Sequence, residues 1–178
     1  MNITAGKFKG QKVSAPDESI TRPTLSKVRM GIFNTLQAMI DFEGASFLDM
    51  FSGSGIMALE ALSRGFERVV AIEKHPKAAG IIRSNFKKFK NPPKLYTGDS
   101  LKLVPKMNEK FDIIYIDPPY FSGVYEQSLN AVKNTASGIV ILEHVCEVNL
   151  CGWELVKQKK YGDKCITFLR VEVLHFTN

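Results

Sequence analysis

Two stretches of the sequence hold residue types that could do chemistry together. The first is Asp117-Pro118-Pro119-Tyr120, directly after the apolar run Phe111–Ile116. An amine on an aromatic ring is a weak nucleophile, because its lone pair is delocalised into the ring. Two acceptors aimed at its protons, the Asp117 side chain and the Pro118 backbone carbonyl, would hold it and favour pyramidal nitrogen. The prolines fix φ and stiffen the turn, so both acceptors are preorganised. Tyr120 offers a face on which an extruded base stacks, worth ~1–3 kcal/mol. Asp117, Pro118, Pro119 and Tyr120 are therefore the candidate catalytic set, with either Asp117 or water open as the final proton acceptor.

The second stretch is Asp49-Met50-Phe51-Ser52-Gly53-Ser54-Gly55. Its glycines permit a tight turn and close backbone approach to a nucleotide-like ligand. Read literally, Gly53 to Ala58 also fits the G-x-G-x-x-[GA] dinucleotide fingerprint, and Glu73 follows at the spacing of a ribose-binding acid. Those features suit NAD and S-adenosylmethionine alike. Asp49 discriminates between them. A carboxylate before the glycines repels a pyrophosphate and holds a cationic amine. S-adenosylmethionine carries an ammonium and a sulfonium and no phosphate. Asp99, after Gly98, could accept the exocyclic amine of an adenine. The candidate cofactor-binding residues are Asp49, Phe51, Ser52, Gly53, Gly55, Glu73, Asp99 and Ser100. A methyl group would pass in line from sulfonium to nitrogen, with alignment supplying much of the rate.

The elements that position these residues read as alternating strand and helix. Strands are expected over 46–51, 68–73, 94–97, 111–116 and 138–143. Helices are expected over 55–63, stopped by Gly65, over 76–90 with Pro76 in the first turn, and over 125–133. Segments 153–159 and 165–174 flank Tyr161-Gly162-Asp163-Lys164, a turn signal, and read as an antiparallel hairpin. An amphipathic helix over 24–41, capped by Thr24 or Ser26, leads into the first strand, and Gly31 within it marks a close approach. Before it, residues 1–23 read as a basic hairpin or arm. The pattern is an α/β, doubly wound, mostly parallel sheet, whose ligands sit beyond the carboxyl ends of the strands. Every residue singled out above falls at such an end.

The chain has 178 residues with 24 basic and 18 acidic side chains, a net charge of +6. That length fits one domain with a full core. No apolar run approaches the ~20 residues of a membrane helix, and the first residues lack the apolar stretch of a signal peptide. Cys146, Cys151 and Cys165 form no CxxC pair, and His75, His144 and His175 show no metal-ligand spacing. Reduced thiols, no metal and a cytoplasmic location are expected. Much of the positive charge is N-terminal: Lys7, Lys9, Lys12, Arg22, Lys27 and Arg29 face only Asp17 and Glu18 in the first thirty residues. A second cluster, Arg83, Lys87, Lys88, Lys90 and Lys94, contains no acid. Such asymmetry suits a polyanion. Lys7, Lys9, Lys12, Arg22 and Arg29 are the candidate RNA contacts, while the second cluster reads equally as solvated surface.

Taken together, Asp49-x-Phe51-x-Gly53-x-Gly55, Glu73, Asp99 and Asp117-Pro118-Pro119-Tyr120 resemble a class I S-adenosylmethionine-dependent amino-methyltransferase. Ala5-Gly6-Lys7-Phe8-Lys9-Gly10, Arg22-Pro23-Thr24 and Val28-Arg29 narrow the resemblance to the bacterial family that methylates guanine N2 in 16S ribosomal RNA. It extends over essentially the whole chain. The resemblance implies a Rossmann-like seven-strand sheet and a cytosolic enzyme. It also implies modification of the small ribosomal subunit or its assembly intermediate, with the N-terminal basic segment engaging RNA. A monomer is expected. Many members have Glu after Val-Arg, where this chain has Met30. An N6-adenine or N4-cytosine methyltransferase would use the same tetrapeptide, although a DNA enzyme usually needs a target-recognition region for which there is little room. Glutamine-methylating relatives usually carry Asn in place of Asp117. The remaining alternatives are an NAD-dependent oxidoreductase and a non-catalytic RNA-binding assembly factor.

Overall fold

The computed structural model describes residues 1–17, 19, 24–119, 123–145 and 147–171. In chain order its elements are α1 (Ser26–Gln37), β1 (Ser46–Asp49), α2 (Ile56–Arg64), β2 (Arg68–Glu73), α3 (Pro76–Phe86), β3 (Lys94–Thr97) and α4 (Ser100–Leu103). A short 3₁₀ turn follows at Val104–Lys106, then β4 (Phe111–Ile116), α5 (Val124–Ala131), β5 (Ala136–His144), β6 (Trp153–Tyr161) and β7 (Lys164–Val171). The strands form one seven-stranded sheet in the order β3-β2-β1-β4-β5-β7-β6. β1 to β5 are parallel, and β7 runs antiparallel to both β5 and β6. The chain thus reverses its strand order between β1 and β4, the switch point at which such sheets bind ligands.

Both faces of the central strands are covered, which is why β1 and β4 carry consecutive apolar residues, Phe47-Leu48 and Ile113 to Ile116, rather than alternating ones. Ile113 and Tyr115 of β4 pack with Phe33 of α1, Leu59 of α2 and Ile82 of α3. Ile114 and Ile116 pack on the other face with Tyr125 and Leu129 of α5. β2, β3 and β4 have the bounds the sequence suggests. The remaining elements are shifted by a few residues, as fraying ends commonly are. α2 stops at Gly65, whose φ of 112° lets its N–H turn back onto Ala61 and Leu62.

The expectations for α1 are corrected. α1 is shorter than 24–41, and neither Thr24 nor Ser26 caps it with a side chain; Leu25 holds the cap position. Asp99 lies just beyond the end of β3, where it N-caps α4 and accepts from the Leu101 amide at 3.1 Å. The N-terminal segment is a hairpin fastened to the fold. Asn2 bridges Lys12, Lys7 donates its amide to the Ser63 carbonyl at 2.7 Å, and Phe8 donates to Ser63 Oγ at 2.9 Å. The partner of Gly31 is Tyr161, since a Cβ at Gly31 would collide with the Tyr161 hydroxyl. The C-terminal hairpin is thereby seated on α1.

Candidate functional site

The turn after β1 is built by its glycines. Gly53 and Gly55 have φ of 59° and 80°, in the left-handed region that glycine enters without strain. Gly55 also packs so closely on α3 that a Cβ would press on Phe86 and Ile82. Ser52 donates its amide to the Ile72 carbonyl at 2.9 Å, tying the turn to β2. Glu73 completes the link: its Oε2 accepts the Gly53 amide at 2.7 Å and its Oε1 accepts the His75 amide at 2.7 Å. Each oxygen keeps a second lone pair for a ligand hydroxyl.

Asp49 is fully buried. Its Oδ2 accepts from Ser52 Oγ at 2.6 Å, whereas Oδ1 meets no donor among the described residues. Burial raises its pKa to about 7, opposed by the Ser52 hydroxyl and reinforced by the charge of Glu73. An ionised carboxylate in this position lacks a counter-charge, and a ligand cation would supply one. That orphaned acceptor, the glycine turn and Glu73 fit the amino-acid and ribose ends of S-adenosylmethionine. Asp99 is half-buried, its carboxylate shared between the Leu101 amide and Lys74 Nζ at 3.5 Å. Ser100 is buried beside it, and Phe51 is half-buried next to Ser52.

Across the switch point, β4 delivers Asp117, half-buried, with Pro118 buried and Pro119 exposed. Burial pushes the Asp117 carboxyl well above the ordinary range. Glu143 and Asp49 add to that, and Lys164 opposes it. The sequence assigns no site role to Glu143, Lys164 or Tyr115, and marks Thr24 only as a helix cap and as part of the Arg22-Pro23-Thr24 motif. Tyr115 donates its hydroxyl to Glu143 Oε2 at 2.7 Å, Lys164 pairs with Glu143 Oε1, and Thr24 Oγ1 lies 3.5 Å from the Tyr115 hydroxyl. Glu143 carried a readable signal, a carboxylate closing an apolar strand, the same one that marked Glu73. Lys164 carried none, because only the antiparallel return of β7 brings it here.

The candidate RNA contacts divide. Lys7, Lys9 and Lys12 are exposed on the N-terminal hairpin. Arg29 is not available for such contact, and that expectation is corrected. Its side chain is fully buried and paired with Glu60 at 3.1 Å, with further bonds to the Thr24 and Asn2 carbonyls at 3.1 and 2.8 Å. It fastens the hairpin to α1 and α2. Arg22 and Tyr120 lie outside the described residues. Met30 is exposed on α1. The hairpin also reaches the second basic cluster: Phe8 meets Phe89 edge-on at 5.0 Å, beside the exposed Lys87, Lys88 and Lys90.

The strand order with its antiparallel seventh strand, and the acidic glycine turn after β1, define the fold of class I methyltransferases. The chain belongs to the family described as Conserved hypothetical protein 95, whose sequence model matches residues 1–170. It is 34% identical over 163 residues to YlbH of Bacillus subtilis, covering 84% of this chain and 85% of that one. It is 33% identical over 136 residues to the ribosomal RNA small subunit methyltransferase D of Buchnera aphidicola, covering 74% and 69%. Among solved structures, yhhF of Escherichia coli superposes with a TM-score of 0.84 at 24% identity, covering 96% of this chain and 98% of that chain, a likeness of fold.

Proposed function

We propose that this chain transfers the methyl group of S-adenosylmethionine to the exocyclic N2 of a guanine in 16S ribosomal RNA, acting on the small subunit or its assembly intermediate as a cytoplasmic monomer. The observation that carries the reading is the pairing of two carboxylates across the switch point. Asp49 Oδ1 is an acceptor without a donor among the described residues, on the cofactor side, and Asp117 stands at the turn after β4 on the acceptor side.

S-adenosylmethionine supplies an electrophilic methyl on a sulfonium. The chain's own residues do the rest. Asp49 would hold the ammonium, Glu73 would accept from the ribose hydroxyls, and Asp99 and Ser100 would receive the adenine. Asp117 and the Pro118 carbonyl would accept from the two protons of the guanine amine and free its lone pair to take the methyl; the nitrogen then gives up one proton to Asp117 or to water, and Tyr120 would stack on the base. Lys7, Lys9, Lys12 and Arg22 bind phosphates. Supporting this reading are the ribosomal RNA methyltransferase name carried by the Buchnera relative and the cationic hairpin.

The deciding experiment incubates the protein with labelled S-adenosylmethionine and three acceptors: small subunits lacking the modification, naked 16S RNA, and duplex DNA. Nucleosides are then identified by mass spectrometry. N2-methylguanosine from an RNA acceptor is expected. N6-methyladenosine or N4-methylcytidine would overturn the base assignment, and absence of transfer to all three would overturn the substrate.

A further inference from the structure

Asp117, Glu143 and Lys164 meet at the ends of three neighbouring strands. β4 and β5 run parallel with Ile116 beside Leu142, which sets Asp117 next to Glu143. β5 and β7 are antiparallel with Glu143 opposite Ile166 and His144 opposite Cys165, so Lys164, the first residue of β7, falls beside the end of β5. Its ammonium pairs with Glu143 Oε1. The other Glu143 oxygen accepts the Tyr115 hydroxyl at 2.7 Å. The Glu143 side chain is fully buried, so its charge is held by these two partners rather than by water.

We propose that Lys164, acting through Glu143, is a positioning residue that keeps Asp117 in its hydrogen-bond-accepting form. This rests on the reading that Asp117 accepts from the substrate amine. The physical reason is charge counting among neighbouring groups, of which Glu143 is fully buried and Asp117 half-buried. Two carboxylates side by side share one proton unless a cation offsets them. The groups facing Asp117 are Glu143 from β5, Lys164 from β7, Asp49 from β1 and Tyr115 from its own strand. Burial, Glu143 and Asp49 raise the Asp117 pKa, while Lys164 and the Tyr115 hydroxyl lower it. A protonated Asp117 would lose its negative charge and give up one oxygen to an O–H, leaving only a neutral carbonyl oxygen to hold an amine proton, a weaker acceptor.

Two substitutions therefore act in opposite directions. Lys164→Met should move the Asp117 midpoint up by about a unit or more, and Glu143→Gln should move it down. The readout is the carboxyl ¹³C titration of labelled aspartate in the free protein, assigned with Asp117→Asn. Lys164→Arg should keep the native midpoint, and the double variant Lys164→Met/Glu143→Gln should return near it, because the pair is removed together. The acid limb of methyl transfer should follow each shift, with the S-adenosylmethionine KM within a few-fold. If Lys164→Met fails to fold, Glu143→Gln and the double variant still decide. Shifts in the same direction, or an unmoved Asp117, overturn the proposal. The titration needs no RNA, so shifted midpoints without guanine methylation would sink the substrate assignment and leave the coupling standing.

Discussion

A single buried carboxylate shows how binding and stability pull against each other. Burial pushes the Asp49 carboxyl up to about 7, out of the ordinary carboxylate range. A folded pKa above the unfolded value means that this group's contribution to stability is fully present at low pH. It is lost as pH rises through about 7, on the order of 4 kcal/mol in total. Asp49→Asn should therefore raise the Tm of the free protein at pH 8, and the gain should shrink as pH falls to 5. The same variant should bind S-adenosylmethionine at least about tenfold more weakly, because the ammonium loses its counter-charge. For the native protein, affinity should fall as pH drops below about 7. Calorimetry across that range tests both arms; pH-independent binding would remove the ammonium contact. Asp117→Ala should behave differently, leaving cofactor affinity within a few-fold while abolishing transfer. An active Asp117→Ala enzyme would refute its acceptor role. These side chains were legible in the sequence because each closes an apolar run or opens a glycine turn. Arg29 was misread for the converse reason. A charge count sees a cation, but only packing shows that α1 buries it against Glu60.

At the scale of elements, one buried carboxylate gathers the N-terminal hairpin, α1 and α2 together. Glu60 of α2 accepts the amides of Thr4 and Ala5 at 2.9 and 3.1 Å, the Thr4 hydroxyl, Arg29 Nε at 3.1 Å and Arg64 Nε at 3.0 Å. Gly6 is needed at the same contact, since a Cβ there would strike the Ser63 carbonyl. Burial pulls the Arg29 guanidinium pKa down, and Glu60 is the main opposing charge. Glu60→Gln removes that partner and leaves a buried cation, a change worth about 3–5 kcal/mol. For a chain of this size the Tm should fall by roughly 10 °C. A loss under about 1 kcal/mol in urea unfolding would show that the hairpin is held elsewhere. The alternation of strands and helices was readable because each strand is short, apolar and punctuated by Gly, Pro or Asp. The hairpin's attachment was not, because it depends on contacts between residues about sixty positions apart. Gly31 gave a partial signal: its cost in a helix implied a close neighbour, and only the fold identifies Tyr161.

For the whole molecule, the two basic clusters that stand apart in the sequence become one surface. The hairpin tip lies on the end of α3 through Phe8 and Phe89, and Ser14 exchanges two hydrogen bonds with Asn85 at 3.0 and 2.8 Å. Lys7, Lys9 and Lys12 are thus brought to the side of Lys87, Lys88 and Lys90, all exposed. Arg83 and Lys94 are drawn aside, the first to Thr97 Oγ1 at 2.7 Å and the second over the Tyr96 ring. A surface of six lysines on this side of the molecule would track an RNA backbone by releasing counterions. Replacing Lys87, Lys88 and Lys90 by Gln should weaken RNA binding and reduce the slope of log affinity against log salt by about 2, at ~0.7 per single-strand phosphate contact. Lys7, Lys9 and Lys12 changed together should do the same. Lys157 and Lys160 lie on β6, at the opposite edge of the sheet from β3, and their replacement should leave the slope unchanged. Cofactor affinity should hold in every variant, since none of these lysines belongs to the glycine turn. An unaltered slope for the α3 variant would confine RNA contact to the hairpin; equal losses at both edges would mean that net charge, and not this surface, draws the RNA.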